Sequence, residues 1–117
     1  VMPKVIQSDS KVWKGSVILA DPMTMPQVKA FEEAKQSTQE RIDEFKEGSS
    51  IKKYIVSESM LPAVCACVQE WHIENFPETV TPDNFPMSPI AESHNLIRLI
   101  FGEINKIYLG EITIPNE

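Results

Sequence analysis

The side chains best suited to chemistry in this chain are His72, His94, Cys65, Cys67 and Ser93. The two histidines fall near the rims of apolar faces on separate predicted helices, so folding could bring the imidazoles together. A metal held there would need further ligands, and Glu70, Glu74 and Glu92 are close by in sequence. The spacing matches neither H-E-x-x-H nor a Cys/His zinc pattern, whose fixed intervals aim ligands at one point. Hydrolysis would require a nucleophile beside a base, and Ser93 with His94 or Cys67 with His72 supply the residue types. Neither pair sits in a G-x-S-x-G elbow, and four glycines leave little for a backbone phosphate cradle. Cys65 and Cys67 lie about 200° apart around a predicted helix, which separates them for a shared metal and for a disulfide. As free thiols they read as small apolar core residues of a protein in a reducing compartment. Glu32 and Glu33 belong to a solvated helix surface. The expectation is a non-enzymatic protein with no metal and no cofactor.

Charge and length narrow the classes further. A formal charge of -6 and a pI near 4.9 argue against nucleic-acid binding, which draws its affinity from clustered Lys and Arg. No apolar run is long enough for a membrane span, and the beginning of the chain lacks the order of a signal peptide, so a cytoplasmic protein is expected. One hundred and seventeen residues support one modest core, hence a single domain over 1–117.

The elements that must position these side chains follow from patterning. Residues 1–20 are rich in β-branched types in two runs, with Val5 and Ile6 before Ser8-Asp9-Ser10 and Val12 to Leu19 after it, which predicts a β-hairpin. Gly15 marks a bulge in the second run. Thr24-Met25-Pro26-Gln27 supplies a capping hydroxyl, an early proline and a Gln at the capping-box position, so a helix is predicted over 24–47. Its apolar stripe, Val28, Phe31, Ile42 and Phe45, is thin, so this helix is only partly buried. The spacing of Met60, Leu61, Val64, Cys67, Val68 and Trp71 predicts a core helix within 52–73, with 51–58 open to either helix or strand.

Residues 75–88 carry Pro77, Pro82 and Pro86 among Phe76, Phe85 and Met87, a proline-rich loop longer than ordinary connections. Pro89 opens the last predicted helix, 89–109, whose face comprises Ile90, Ile97, Ile100, Phe101, Ile104 and Tyr108, with Leu96 and Ile107 at its margin. A tail follows that can add a short strand through Ile112 and Ile114. The fold class is α+β, mainly α: an N-terminal β-hairpin, then three main helices with the proline-rich loop before the last one.

Surface for a partner remains. Leu99 falls about 200° from Ile97, off the core stripe unless another element covers that side. Phe76, Phe85 and Met87 suit either folding back on the core or anchoring in a partner groove.

Four strings, Gly15 to Val28, E-W-H-I at Glu70 to Ile73, F-P-M-S-P at Phe85 to Pro89 and I-Y-L-G-E at Ile107 to Glu111, resemble a group of small proteins of long-tailed bacteriophages and prophages. The family named by this resemblance is the tail assembly chaperones. It implies a helper without catalytic residues in the bacterial host cytoplasm. Such a helper coats the tape-measure protein, keeps its apolar helices soluble, recruits tail-tube subunits and leaves the finished tail. The resemblance also implies that this chain is similar to the short form of a gene read in two forms by frameshifting. Homo-oligomerisation stays open. The alternatives are a structural virion component, such as a head-tail connector or tail-completion protein, and a small metal protein or enzyme built on His72 and His94.

Overall fold

The computed structural model describes residues 3–44 and 56–112. Among the described residues the fold is α+β and mainly α, with a three-stranded antiparallel sheet and three main helices. In chain order these are β1 (Lys4–Gln7), β2 (Gly15–Leu19), α1 (Met25–Glu44), α2 (Leu61–Cys67), β3 (Val68–Ile73) and α3 (Ile90–Ile112). The end of the first predicted helix at 45–47, the helix-or-strand question over 51–55 and the tail beyond Ile112 lie outside the described residues. Among the described residues no helix is long and apolar enough to cross a membrane.

The predicted hairpin forms, with Lys4 opposite Leu19 and Ile6 opposite Val17. Its connection is longer than the expected turn and takes in Val12 and Trp13, because two serine hydroxyls staple residues 8–14. The backbone N–H groups of Val12 and Trp13 donate to Ser10 Oγ at 3.1 and 2.9 Å, and Ser10 N–H donates to Ser8 Oγ at 3.1 Å. Such side-chain acceptors replace the ladder partners that a strand would have provided.

The helix expected over 52–73 is corrected by the structure. Among the described residues of that span, 56–58 and Leu61–Cys67 are helical, and Val68–Ile73 is a strand paired with β2, the central strand of order β1-β2-β3. The helix-like spacing of Val68 and Trp71 has a different cause. Ile18 pairs with Glu70 and Leu19 with Val68, so Gln69 is an extra residue in β3. A bulge resets the two-residue alternation of a strand and turns both Val68 and Trp71 toward the helices despite their odd separation.

One sheet face carries the cross-strand row Ile6, Val17 and Trp71 toward the core. The other carries the rows Val5, Ile18, Glu70 and Gln7, Ser16, His72. Val17 and Leu19 of the central strand are buried, whereas Val5 is 55% exposed.

At the start of α1 the expected capping box is present: Thr24 N–H donates to Gln27 Oε1 at 2.8 Å and Gln27 N–H to Thr24 Oγ1 at 3.4 Å. Gln27 Nε2 also donates to Ala66 O at 3.1 Å, which ties this cap to the last turn of α2. Phe31, Ala34 and Thr38 form the buried stripe of α1. The buried face of α3 is rotated from the expected one. Leu96 and Ile107 join Ile97, Ile100, Ile104 and Tyr108 inside, Phe101 is half-buried, and Ile90 in the first turn is 44% exposed. Phe31 lies between Phe101 and Tyr108, with ring centroids 4.9 and 4.8 Å away.

Gly15 sets the approach of β2 to β3. Its φ is +136°, and a Cβ built there would lie 1.9 Å from the His72 carbonyl oxygen, a backbone atom that cannot rotate away. Gly15→Ala is therefore expected to destabilise the fold by more than about 2 kcal/mol. Gly102 in α3 has nothing within 4 Å of its virtual Cβ, so Gly102→Ala is expected to stabilise by about 0.5–1 kcal/mol through helix propensity. Urea unfolding midpoints of the two variants should move in opposite directions.

Candidate interaction surfaces

The proline-rich loop folds back on the body. Phe85 is buried and Phe76 half-buried, and both join Trp13 and Trp71 in one aromatic cluster. Phe76 meets Trp13 edge-on at 5.1 Å and stacks on Trp71 at 5.4 Å, while Phe85 meets Phe76 at 5.4 Å and Trp71 at 5.9 Å. Edge-to-face and offset pairs of this kind are favourable beyond their area. The turn at 81–84 is braced by reciprocal bonds: Thr81 N–H donates to Asn84 Oδ1 at 2.7 Å and Asn84 N–H to Thr81 Oγ1 at 3.2 Å. Asn84 Nδ2 donates to Thr79 O at 2.7 Å.

Of the residues expected to touch a partner, Phe85 is therefore part of the core and Phe76 packs against it. Met87 is half-buried and lines a cleft of about 360 Å³ with Phe85, Leu61, Pro82, Glu58 and Asp83. Leu99 is half-buried as well, because the 8–14 connection covers that side of α3. Ser10 Oγ and Lys11 N–H donate to Glu92 Oε1 at 3.3 and 3.1 Å, and Trp13 Nε1–H donates to Ser93 Oγ at 3.1 Å. Leu99 then borders a polar cleft with Asp9, Asn95 and Arg98.

The side chains suited to chemistry sit on α2, β3 and α3. His72 lies on the outward sheet face with Nε2 3.0 Å from Glu70 Oε1, and both side chains are more than half exposed. His94 is buried in α3. Cys67 points its Sγ at Gln27 O, 3.8 Å away, and burial pushes the thiols of Cys65 and Cys67 up to about 11. Among the described residues no three His, Cys, Asp or Glu side chains gather as metal ligands would.

No family model, curated protein or solved structure matches this chain.

Two further surfaces are visible only in the fold. The core-facing stripe of α1 runs Phe31, Ala34, Thr38 and then Ile42, all within about 80° of arc. Thr38 Oγ1 still has a partner beneath it, Ser59 Oγ at 2.6 Å, whereas Ile42 one turn later is 47% exposed. The sequence placed Ile42 in the stripe, but not its exposure. On the opposite side, Glu103 of α3 bridges Lys4 of β1 and Lys106, each at 2.9 Å. These two lysines, first through their hydrogen bonds, hold the Glu103 carboxyl below its ordinary range. Tyr108 donates its hydroxyl to Glu32 Oε2 at 2.8 Å, and that carboxylate raises the phenol.

Two outcomes follow. Labelling of Cys65 and Cys67 by a thiol reagent at pH 8 is expected to run about a hundredfold slower in the native protein than in denaturant, since little thiolate is present. Glu103 contributes stability above its unfolded pKa and loses it as the pH falls through the lowered folded value. Glu103→Gln should thus cost less than about 1 kcal/mol at neutral pH, the size expected of a partly exposed pair. In urea titrations this difference from the parent protein should vanish in acid.

Proposed function

We propose that this chain is a non-enzymatic interaction protein of the phage tail assembly chaperone type, acting in the host cytoplasm by reversible contact with a tape-measure protein and with tail-tube subunits. The observation that carries the reading is the α1 stripe. An amphipathic helix buries Phe31, Ala34 and Thr38 and, one turn later on the same face, presents Ile42 to solvent among Arg41 and Asp43. A face of that kind receives the apolar stripe of a second amphipathic helix, the mode by which one helix shields another from water. The four strings that resemble the chaperone family supply the partner's identity, a long helical protein whose apolar faces need cover before the tube closes around it.

Co-expression with the tape-measure protein from the same genome, followed by size exclusion, tests the reading. The two should co-elute, and the partner's soluble yield should rise. Ile42→Glu removes an exposed apolar group without touching the core, so it should leave the thermal midpoint within about 2 °C and weaken co-elution by at least about tenfold. Absence of co-elution, or an unchanged complex with Ile42→Glu, would overturn the proposal. Mass spectrometry of purified virions separates a departing helper from a retained structural component, since only the latter stays in the particle.

A further inference from the structure

The cleft between the start of α2 and the proline-rich loop is a second surface, separate from the α1 stripe. Its floor is apolar and firm: Leu61 and Phe85 are buried, and Phe85 is locked edge-on between Phe76 and Trp71. Half-buried Met87 forms a deformable wall, as thioethers do at surfaces that accept more than one side-chain shape. Exposed Pro82 forms a rigid one, on the turn braced by Thr81 and Asn84. Glu58 on one side and Asp83 on the other are exposed carboxylates, and among the described residues the lining contains no cation.

An apolar floor between two anionic edges has a definite complement. We infer that this cleft takes a short extended peptide segment of a partner protein, with one or two large aliphatic side chains flanked by lysine or arginine. The aliphatic side chain fills the space over Leu61, Phe85 and Met87. The flanking basic residues lay their hydrocarbon stems along Pro82 and keep their charged heads beside Glu58 and Asp83. The net charge of -6 adds a general attraction for such a segment and disfavours an acidic one. Because the rim carboxylates face water, the contact weakens with salt over the Debye length of about 8 Å at physiological ionic strength. Recognition here rests on the cleft's own chemistry and holds whether or not the partner belongs to a phage tail.

The probe is a blocked hexapeptide, Lys-Lys-Leu-Leu-Lys-Lys, titrated into the full chain. Tryptophan emission follows binding, since Trp71 touches the floor through Phe85, and backbone amide shifts map the surface. Saturable binding with a Kd below about 1 mM is expected, with shifts at Leu61, Asp83 and Met87 and a several-fold loss in about 0.5 M salt. Reversing both rim charges, Glu58→Lys with Asp83→Lys, should weaken the basic peptide by at least about tenfold and admit the Glu-Glu-Leu-Leu-Glu-Glu counterpart. Both positions are exposed, so folding is expected to survive, and circular dichroism checks it. The single variant Met87→Ala provides a second route that removes the apolar wall, leaves the charge of the cleft unchanged and should also weaken binding. Failure of the hexapeptide to saturate, shifts located elsewhere, or equal affinity in the reversed variant would each overturn the inference. Ile42→Glu should bind the hexapeptide as the parent does, so a negative result in the co-elution experiment and one here remain distinguishable.

Discussion

The close pairing of β2 with β3 is the constraint on which the molecule depends. In the sheet β1 pairs with β2 and not with β3, and β3 is continuous with α2, the helix that packs on both α1 and α3. The β2–β3 ladder, extended at its ends by Ala20 N–H to Cys67 O at 3.1 Å and Glu74 N–H to Lys14 O at 2.9 Å, is therefore the backbone joint between the hairpin and the helical layer, while side-chain bonds to Glu92, Ser93 and Glu103 tie the hairpin to α3. Ladder bonds contribute modestly one at a time, yet each buried amide left unpaired costs more than its bond gives. The absence of a side chain at Gly15 lets the two backbones approach, and the bulge at Gln69 then keeps Val68, Trp71 and Ile73 in phase with the helices.

Around that joint the interior divides into two aromatic groups with different work. Phe31, Phe101 and Tyr108 fasten α1 to the second half of α3, with Glu32 taking the phenolic hydrogen bond and Lys35 lying 5.5 Å over the Tyr108 ring. Trp13, Trp71, Phe76 and Phe85 fasten the irregular segments, which have no ladder or helix of their own, to the sheet. The loop length that a sequence reader associates with a mobile arm is used here to reach across that second group. The loop's exposed turn with Asp83 and its half-buried Met87 form one side of the cleft.

Much of the architecture is legible in the residues because local chemistry and tertiary packing agree there. The capping box at Thr24 and Gln27 marks the start of α1, the apolar period of α3 survives a rotation of its buried face, and β-branched runs mark the hairpin. The strand at Val68–Ile73 was concealed by physics rather than by weak patterning. An odd spacing of apolar residues means a helix unless a bulge intervenes, and only the partner strand creates the bulge. Phe76 and Phe85 were legible as large apolar groups needing cover, while the identity of the cover, the tryptophans of β3 and of the 8–14 connection, was not. Glu58 and Asp83 are separated along the chain by a helix, a strand and half a loop, so nothing local announces that they flank one floor.

The serine-stapled connection of the hairpin carries a consequence for biosynthesis. Ser10, Lys11 and Trp13 find their polar partners at Glu92 and Ser93, about eighty residues later. Closing so distant a contact is entropically expensive, and topologies built on such contacts fold slowly. On the ribosome the hairpin emerges before α3, so it lacks its docking site until the beginning of that helix has cleared the exit tunnel. The nascent chain therefore waits with Trp13 uncovered, and this part of the fold completes only after the beginning of α3 has arrived.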